Sequence, residues 1–377
     1  MGKRVSLNPS VTMLRFHSEN DLFFGYYDLN PLRNSKILAH EIVGNWVNLK
    51  SIHIHTKIEQ TVGSTRAWNY QQGARLGWAG NGFETIFYNS INDDSGEIIV
   101  RDLVAGTQQS FPFLLQVANK KFDKVIGVDM IKINQLNPEY GYPDPSGRKS
   151  SESDTSVGNC GILGYEIKTG HQKCIVSLDS IVAHEKPDEA DTENSEINHI
   201  TYSPDETKIS FIHRWYPLRG PRASRLMVFD LQNNSLLTVI SYGMVSHYCW
   251  ESEESIFVYG RIKDGSDRFI SCHLSSGNVK IHEALNDKGD GHPSLSPSGN
   301  WLVIDSYPNI IRKQSLFLYH LKSGEIINIG RFFSPKNYSF SMRCDLHPRW
   351  CNSSLIAIDT TFGGKREIGL LDISGIV

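Results

Sequence analysis

Apolar and polar residues alternate along this chain in short runs, and each run ends in a cluster of Asn, Asp, Ser or Gly. In "SRLMVFDLQNNSLLTVIS" and "QSLFLYHLKSGEIINIG" two such runs flank a polar turn. Alternation with a period of two predicts half-buried strands, and the turn residues between β-branched runs predict hairpins. The helical period of about 3.6 is nearly absent.

The runs recur as a larger unit. Seven segments share a short strand, a polar turn and an apolar strand: "GYYDLNPLRNSKILAHEI", "ARLGWAGNGFETIFYNSI", "QVANKKFDKVIGVDMI", "HITYSPDETKISFIHRW", "HYCWESEESIFVYGRI", "HPSLSPSGNWLVIDSYP" and "HPRWCNSSLIAIDTTF". Four strands per unit, repeating roughly every 40 to 55 residues, matches propeller blades. The reading is all-β: residues 1–377 form one domain, a seven-bladed β-propeller. A pair of β-sandwiches is the rival.

Alignment on the shared turn puts His199, His247, His292 and His347 at one phase, five residues before positions 204, 252, 297 and 352. Tyr26 and Arg75 hold that phase in earlier blades. The first strand of a blade lies beside the central channel, so one side chain per blade at a fixed phase predicts a ring around the axis. The ends of the second strands return to the same face. They carry His40 and Glu41, Tyr88 and Asn89, His213 and Arg214, Tyr259 and Arg261, Asp305 and Tyr307.

Residues 131–196 break the rhythm. "INQLNPEYGYPDPSGRKSSESDTSVGNCG" and "DSIVAHEKPDEADTENSE" are long connections in and after blade three, on the ring's face. Long loops in compact domains are commonly functional. Their polar content predicts a partly mobile, lid-like insertion, with "YGYP" as an ordered aromatic portion.

A formal net charge of -3 gives no reason to expect a nucleic-acid partner. No apolar run approaches the roughly 18 residues of a membrane span. The first residues do not read as a signal peptide. The six cysteines, at 160, 174, 249, 272, 344 and 351, do not suggest a disulfide framework in so long a chain. The expectation is a cytoplasmic protein with reduced thiols.

Imidazole and thiolate are zinc ligands. Cys344 stands three residues before His347, so the ring predicts a site of His247, His292, Cys344 and His347, with Asp345 orienting a ligand from behind. Bound by all four the site is closed; without Cys344, three histidines leave an open position. The expected cofactor is a divalent metal, Zn²⁺ before Mn²⁺ or Ca²⁺. His199, with His213, Arg214, Arg222 and Arg225 as neighbours, is expected to stay neutral and to suit a general base. Arginines suit carboxylate or phosphate. The mouth therefore fits an acidic sugar.

The stretches "FGYYDLNP", "RAWNYQQGARLGW", "NHITYSPD", "FIHRW", "GHPSLSPSG" and "RCDLHPRW" resemble motifs of the propeller-type polysaccharide lyases, the ulvan lyases and, more distantly, the oligogalacturonate lyases. The similarity runs through roughly residues 20–375. It implies a histidine-held divalent metal, with cysteine in the ulvan type, and β-elimination at a uronic acid of an oligo- or polysaccharide. It also implies roles: His199 and His213 as base and acid, Tyr142 and Tyr259 as weaker candidates, and Arg214 with Arg225 on the carboxylate. The alternative is a non-catalytic sugar-binding or scaffold propeller in surface-polysaccharide synthesis.

Overall fold

The computed structural model describes residues 4–80, 84–92, 95–143 and 159–376. Seven antiparallel sheets follow one another along the chain, each built mainly of four strands. The molecule is a seven-bladed β-propeller. Blade four shows the plan: Ser195–Tyr202 innermost, then Lys208–Trp215, Ala223–Asp230 and Ser235–Ile240. Turn chemistry explains the hairpins. Asp230 Oδ1 accepts the amides of Gln232 and Asn233, and Asp102 Oδ1 those of Val104 and Ala105. A carboxylate at the strand's end thus satisfies the donors that the reversal would orphan.

The termini close the circle, which the repeat alone did not reveal. Glu367–Asp372 is the last strand of the chain, and blade seven takes its fourth strand from Thr12–Phe16. Val5–Leu7 adds a fifth strand to blade six through Ile326–Phe333. One N-terminal segment therefore ties the final two blades together.

Blades pack face to face through apolar clusters such as Ile212, Leu226, Val228, Tyr248, Ile256 and Val258 between blades four and five. Indole hydrogen bonds fix their relative height. Trp250 Nε1 donates to Thr201 Oγ1 (3.2 Å), and Trp350 Nε1 to the Ser294 carbonyl (3.0 Å). Such contacts between adjacent sheets hold the inner strand ends in register around the axis.

Within the insertion, Met130–Leu136 is a helix whose N-cap Asp129 accepts the amides of Ile131 and Lys132. Tyr140 and Tyr142 beyond it are buried. Leu178–Ala183 is a second helix, against blade three. The Ser-rich part of the expected lid, residues 144–158, lies outside the described residues. Among the described residues, no helix is long and apolar enough to cross a membrane. Cys160 and Cys174, on adjacent strands of blade three, form a disulfide, so the expectation of wholly reduced thiols is corrected. Cys249, Cys272, Cys344 and Cys351 are free.

Candidate functional site

The in-phase residues reach the axis through irregular backbone. His199 (φ 56°), His347 (φ 44°) and Arg75 (φ 54°) all lie in the left-handed region that non-glycine residues avoid. The blade-four ladder breaks between Asn198 and Thr201, and the blade-five ladder between Val245 and Tyr248. Each break is a bulge at the ring histidine, and a bulge re-aims a side chain out of the pleat. In blades six and seven the histidines precede strands that begin at Pro293 and Arg349. Strain of this kind persists only where the surroundings enforce it.

The rings converge. His247 and His292 have centroids 3.9 Å apart, and His292 and His347 4.4 Å apart; His199 lies 6.0 Å from His247. Tyr26 fills the middle, 4.8 Å from His199 and 5.0 Å from His347. All are buried.

Hydrogen bonds assign the tautomers. His347 Nδ1 faces the Gly25 carbonyl at 3.1 Å, which only accepts, so Nδ1 carries the proton. Gly25 has φ +122°, and a Cβ there would meet the Gln72 backbone at 3.0 Å, so only glycine places this carbonyl. His292 Nδ1 donates to Asp305 Oδ1 at 2.9 Å. Both rings are left with an Nε2 that is buried and unpartnered. Burial opposes a charge on His292, but Asp305 outweighs it and raises the His292 pKa, so on that nitrogen a proton and a cation would compete. An unpartnered polar nitrogen inside a protein is costly, and two aimed into one space could hold a cation. Asp345 completes the group: ligand atoms of His292, Asp345 and His347 all lie within 4.8 Å of one another.

That trio differs from the expected set. Asp345, expected behind the ligands, is in the group. The Cys344 thiol, though buried, is not among the ligand atoms that gather there. His247 stands beside the trio, its Nδ1 3.0 Å from Asp290 Oδ1. Asp290 therefore holds the Nδ1 proton and leaves Nε2 basic. Burial and neighbouring His292 lower the His247 pKa, partly offset by Asp290.

On the opposite wall, Arg214 Nη2 lies 3.2 Å and the Tyr26 hydroxyl 2.7 Å from His199 Nε2. A guanidinium only donates, so Nε2 is the acceptor and His199 is neutral, protonated at Nδ1. Burial, then Arg214, drives its pKa well below the usual imidazole range. Arg214 pairs with Glu196 at 3.5 Å and lies over the Tyr140 ring at 5.6 Å.

Other sequence-predicted residues lie elsewhere. Arg225 Nε donates to His213 Nδ1 (3.0 Å), and His213 Nε2 then donates to Ser195 Oγ (3.0 Å), leaving that imidazole no free lone pair. Arg225 also donates to the carbonyls of Ile181, His184 and Glu185, where the second helix ends. Its guanidinium is occupied by backbone and corrects the expectation of a carboxylate clamp. Tyr142 is buried, its hydroxyl accepting from Asn89 Nδ2 at 2.8 Å. Tyr259 packs against Phe269 at 4.9 Å in blade five. The residues that sequence reading did not assign to the site are Tyr140, Asp290, Arg343 and Glu139.

No protein-family model matches the chain, and no curated protein sequence matches it either. Solved structures do. An oligogalacturonate lyase in complex with manganese superposes with a TM-score of 0.67 at 13% identity, covering 98% of each chain. An oligogalacturonate lyase from Vibrio parahaemolyticus gives 0.65 at 13% identity, again over 98% of each. The hydrazine synthase of Kuenenia stuttgartiensis gives 0.52 at 8% identity over 94% of this chain and 97% of that one. At such identities the likeness establishes the shared propeller fold.

Proposed function

We propose that the protein is a divalent-metal-dependent lyase that cleaves uronate-containing oligosaccharides by β-elimination. The observation that carries this reading is the pair of buried, unpartnered Nε2 atoms on His292 and His347, converging with Asp345 beside an Asp-held histidine. Full-length likeness to a lyase solved with manganese supports it.

A cation on His292, Asp345 and His347 would neutralise the uronate carboxylate and so acidify the hydrogen on the adjoining carbon. Two imidazoles and one carboxylate suit Mn²⁺ or Zn²⁺ and, with three ligands, leave positions open. His247 Nε2, its tautomer fixed by Asp290, is the base that removes that proton. The C–H electron pair becomes the new C=C bond as the glycosidic C–O bond breaks, and the leaving oxygen takes its proton from protonated His247 or water. Arg214, neutral His199 and Tyr140 form the facing wall and orient the sugar by hydrogen bonding and stacking. The expectation of His199 as base is replaced here, because its Nε2 already accepts from Tyr26 and Arg214.

The test is a panel of uronate oligosaccharides incubated with Mn²⁺- or Zn²⁺-loaded protein, monitored for ultraviolet absorbance of the unsaturated product. Absorbance that rises with metal and disappears with chelator is expected. A flat trace across the panel with saturating metal would reject the lyase reading.

A further inference from the structure

Arg343 sits at the mouth between two carboxylates. Its Nε lies 2.7 Å from Asp345 Oδ2, and its Nη1 donates to a carboxylate oxygen of Glu139. Its Cζ lies 6.0 Å from the Tyr307 ring, which in turn is 5.9 Å from His292. The Arg343 side chain is 22% exposed and that of Glu139 28%, whereas Asp345 is only 2% exposed. One edge of the guanidinium is therefore fixed to the buried trio, and the other faces the opening.

Glu139 comes from the insertion, three residues after its first helix, and its backbone is pinned on both sides. The Tyr140 amide donates to Asn137, the Tyr142 amide to Met130, and Asn69 Nδ2 to the Gly141 carbonyl (3.1 Å). The Arg343 carbonyl is pinned too, accepting from Arg366 Nη2 (2.8 Å) and Gln71 Nε2 (3.1 Å). Only the Glu139 side chain has to rotate to free the outer edge. The pair is partly exposed at the mouth, so an external carboxylate able to engage the fork can compete with Glu139 for it.

We infer that Arg343 is the receptor for a second substrate carboxylate, on the sugar next to the one that reacts, and that Glu139 is a built-in competitor occupying it in the empty site. This rests on the uronate reading above and adds a specificity determinant to it: chains of consecutive uronates are preferred over chains with neutral neighbours.

The experiment is calorimetric titration of metal-loaded full-length protein with galacturonate, glucuronate and neutral galactose, none of which can be cleaved. Glu139→Gln removes the competing charge and is expected to tighten uronate binding by at least about 2- to 5-fold, the lower bound set by surface ion pairs, with galactose unchanged. Arg343→Gln is expected to weaken uronate binding by roughly tenfold. A gain in affinity cannot come from misfolding, so the glutamate variant keeps the test decisive. Unchanged, weaker or undetectable uronate binding by E139Q overturns the inference, even if the protein cleaves oligosaccharides. Tighter binding together with a flat absorbance trace from the oligosaccharide panel would uphold Arg343 and reject the lyase chemistry.

Discussion

Asp305 anchors His292 twice, accepting from its backbone amide at 2.7 Å and from its Nδ1 at 2.9 Å. The other carboxylate oxygen takes the His347 amide at 3.2 Å. One side chain at the end of a blade-six strand thus sets the position of two imidazoles from two blades. It replaces the ladder that the irregular inner strands lack.

Metal content should follow the trio rather than the thiol. Wild-type protein purified with Mn²⁺ or Zn²⁺ is expected to hold about one ion per chain. Asp345→Asn and His292→Ala should lose it, and Asp305→Asn should weaken it about 10- to 100-fold by freeing both rings. Cys344→Ala should keep it. Elemental analysis after dialysis reads all four, and metal loss in C344A would return the thiol to the site.

Removal of the base should strike turnover more than binding. His247→Ala is expected to lower kcat by about 10² to 10⁴ on any substrate found, with smaller changes in KM. Asp290→Asn should fall in between, because the tautomer loses its anchor. Steady-state kinetics on the unsaturated product decides, and an H247A enzyme with full kcat would remove His247 from the mechanism.

Arg225 should behave as a stabilising residue. It holds the end of the helix Leu178–Ala183 and the ring of His213, so truncation leaves buried carbonyls and an imidazole without their donor. Arg225→Ala is expected to cost about 3 kcal/mol or more in denaturant unfolding. Any folded fraction should keep the wild-type KM. A stable variant with a raised KM would instead place the guanidinium on substrate.

Acid should destabilise the fold through buried imidazoles. His40 and His213 titrate near 3 in the folded state, against an ordinary 6.5, mainly because burial disfavours their charged forms. Between those values the unfolded chain binds protons that the folded chain refuses. Stability is therefore intact above about pH 6.5 and falls as pH drops toward 3, by about 2 kcal/mol per site at pH 5. Melting temperatures from pH 7.5 to 4.5 should decline, and His40→Gln should flatten the slope. A level profile would contradict the assignment.

Thiol counting tests the disulfide. Under denaturing, non-reducing conditions four of the six cysteines should react with a thiol reagent, and all six after reduction. Six reactive thiols without reductant would show that Cys160 and Cys174 stay reduced in the purified protein.

The propeller was legible because it repeats. Alternation, Asx turns and a near-constant unit length are local properties, and a strand's burial pattern is written in neighbouring residues. The convergence of His199, His247, His292 and His347 was legible for the same reason: equal spacing to a shared turn becomes equal height once blades are stacked. What stayed hidden was which atoms face each other. "CDLH" offers a thiol and a carboxylate to the same neighbourhood. Only the folded backbone, left-handed at His347, brings the Asp345 carboxylate rather than the Cys344 thiol to the two imidazoles. Arg214 and Arg225 flank one another in paired strands, yet one faces the mouth and the other is spent on a helix end.

From its sequence alone this protein is determined to be an all-β propeller with an axial cluster of imidazoles, since periodicity and phase survive without knowledge of any contact. Tertiary structure decided the ligand trio, the tautomers, the Glu139–Arg343 pair and the closure of the circle by the N-terminus. Those depend on hydrogen bonds between different strands and blades, from His292 to Asp305 up to His347 to Gly25, 322 positions apart, whose pairing no local pattern encodes.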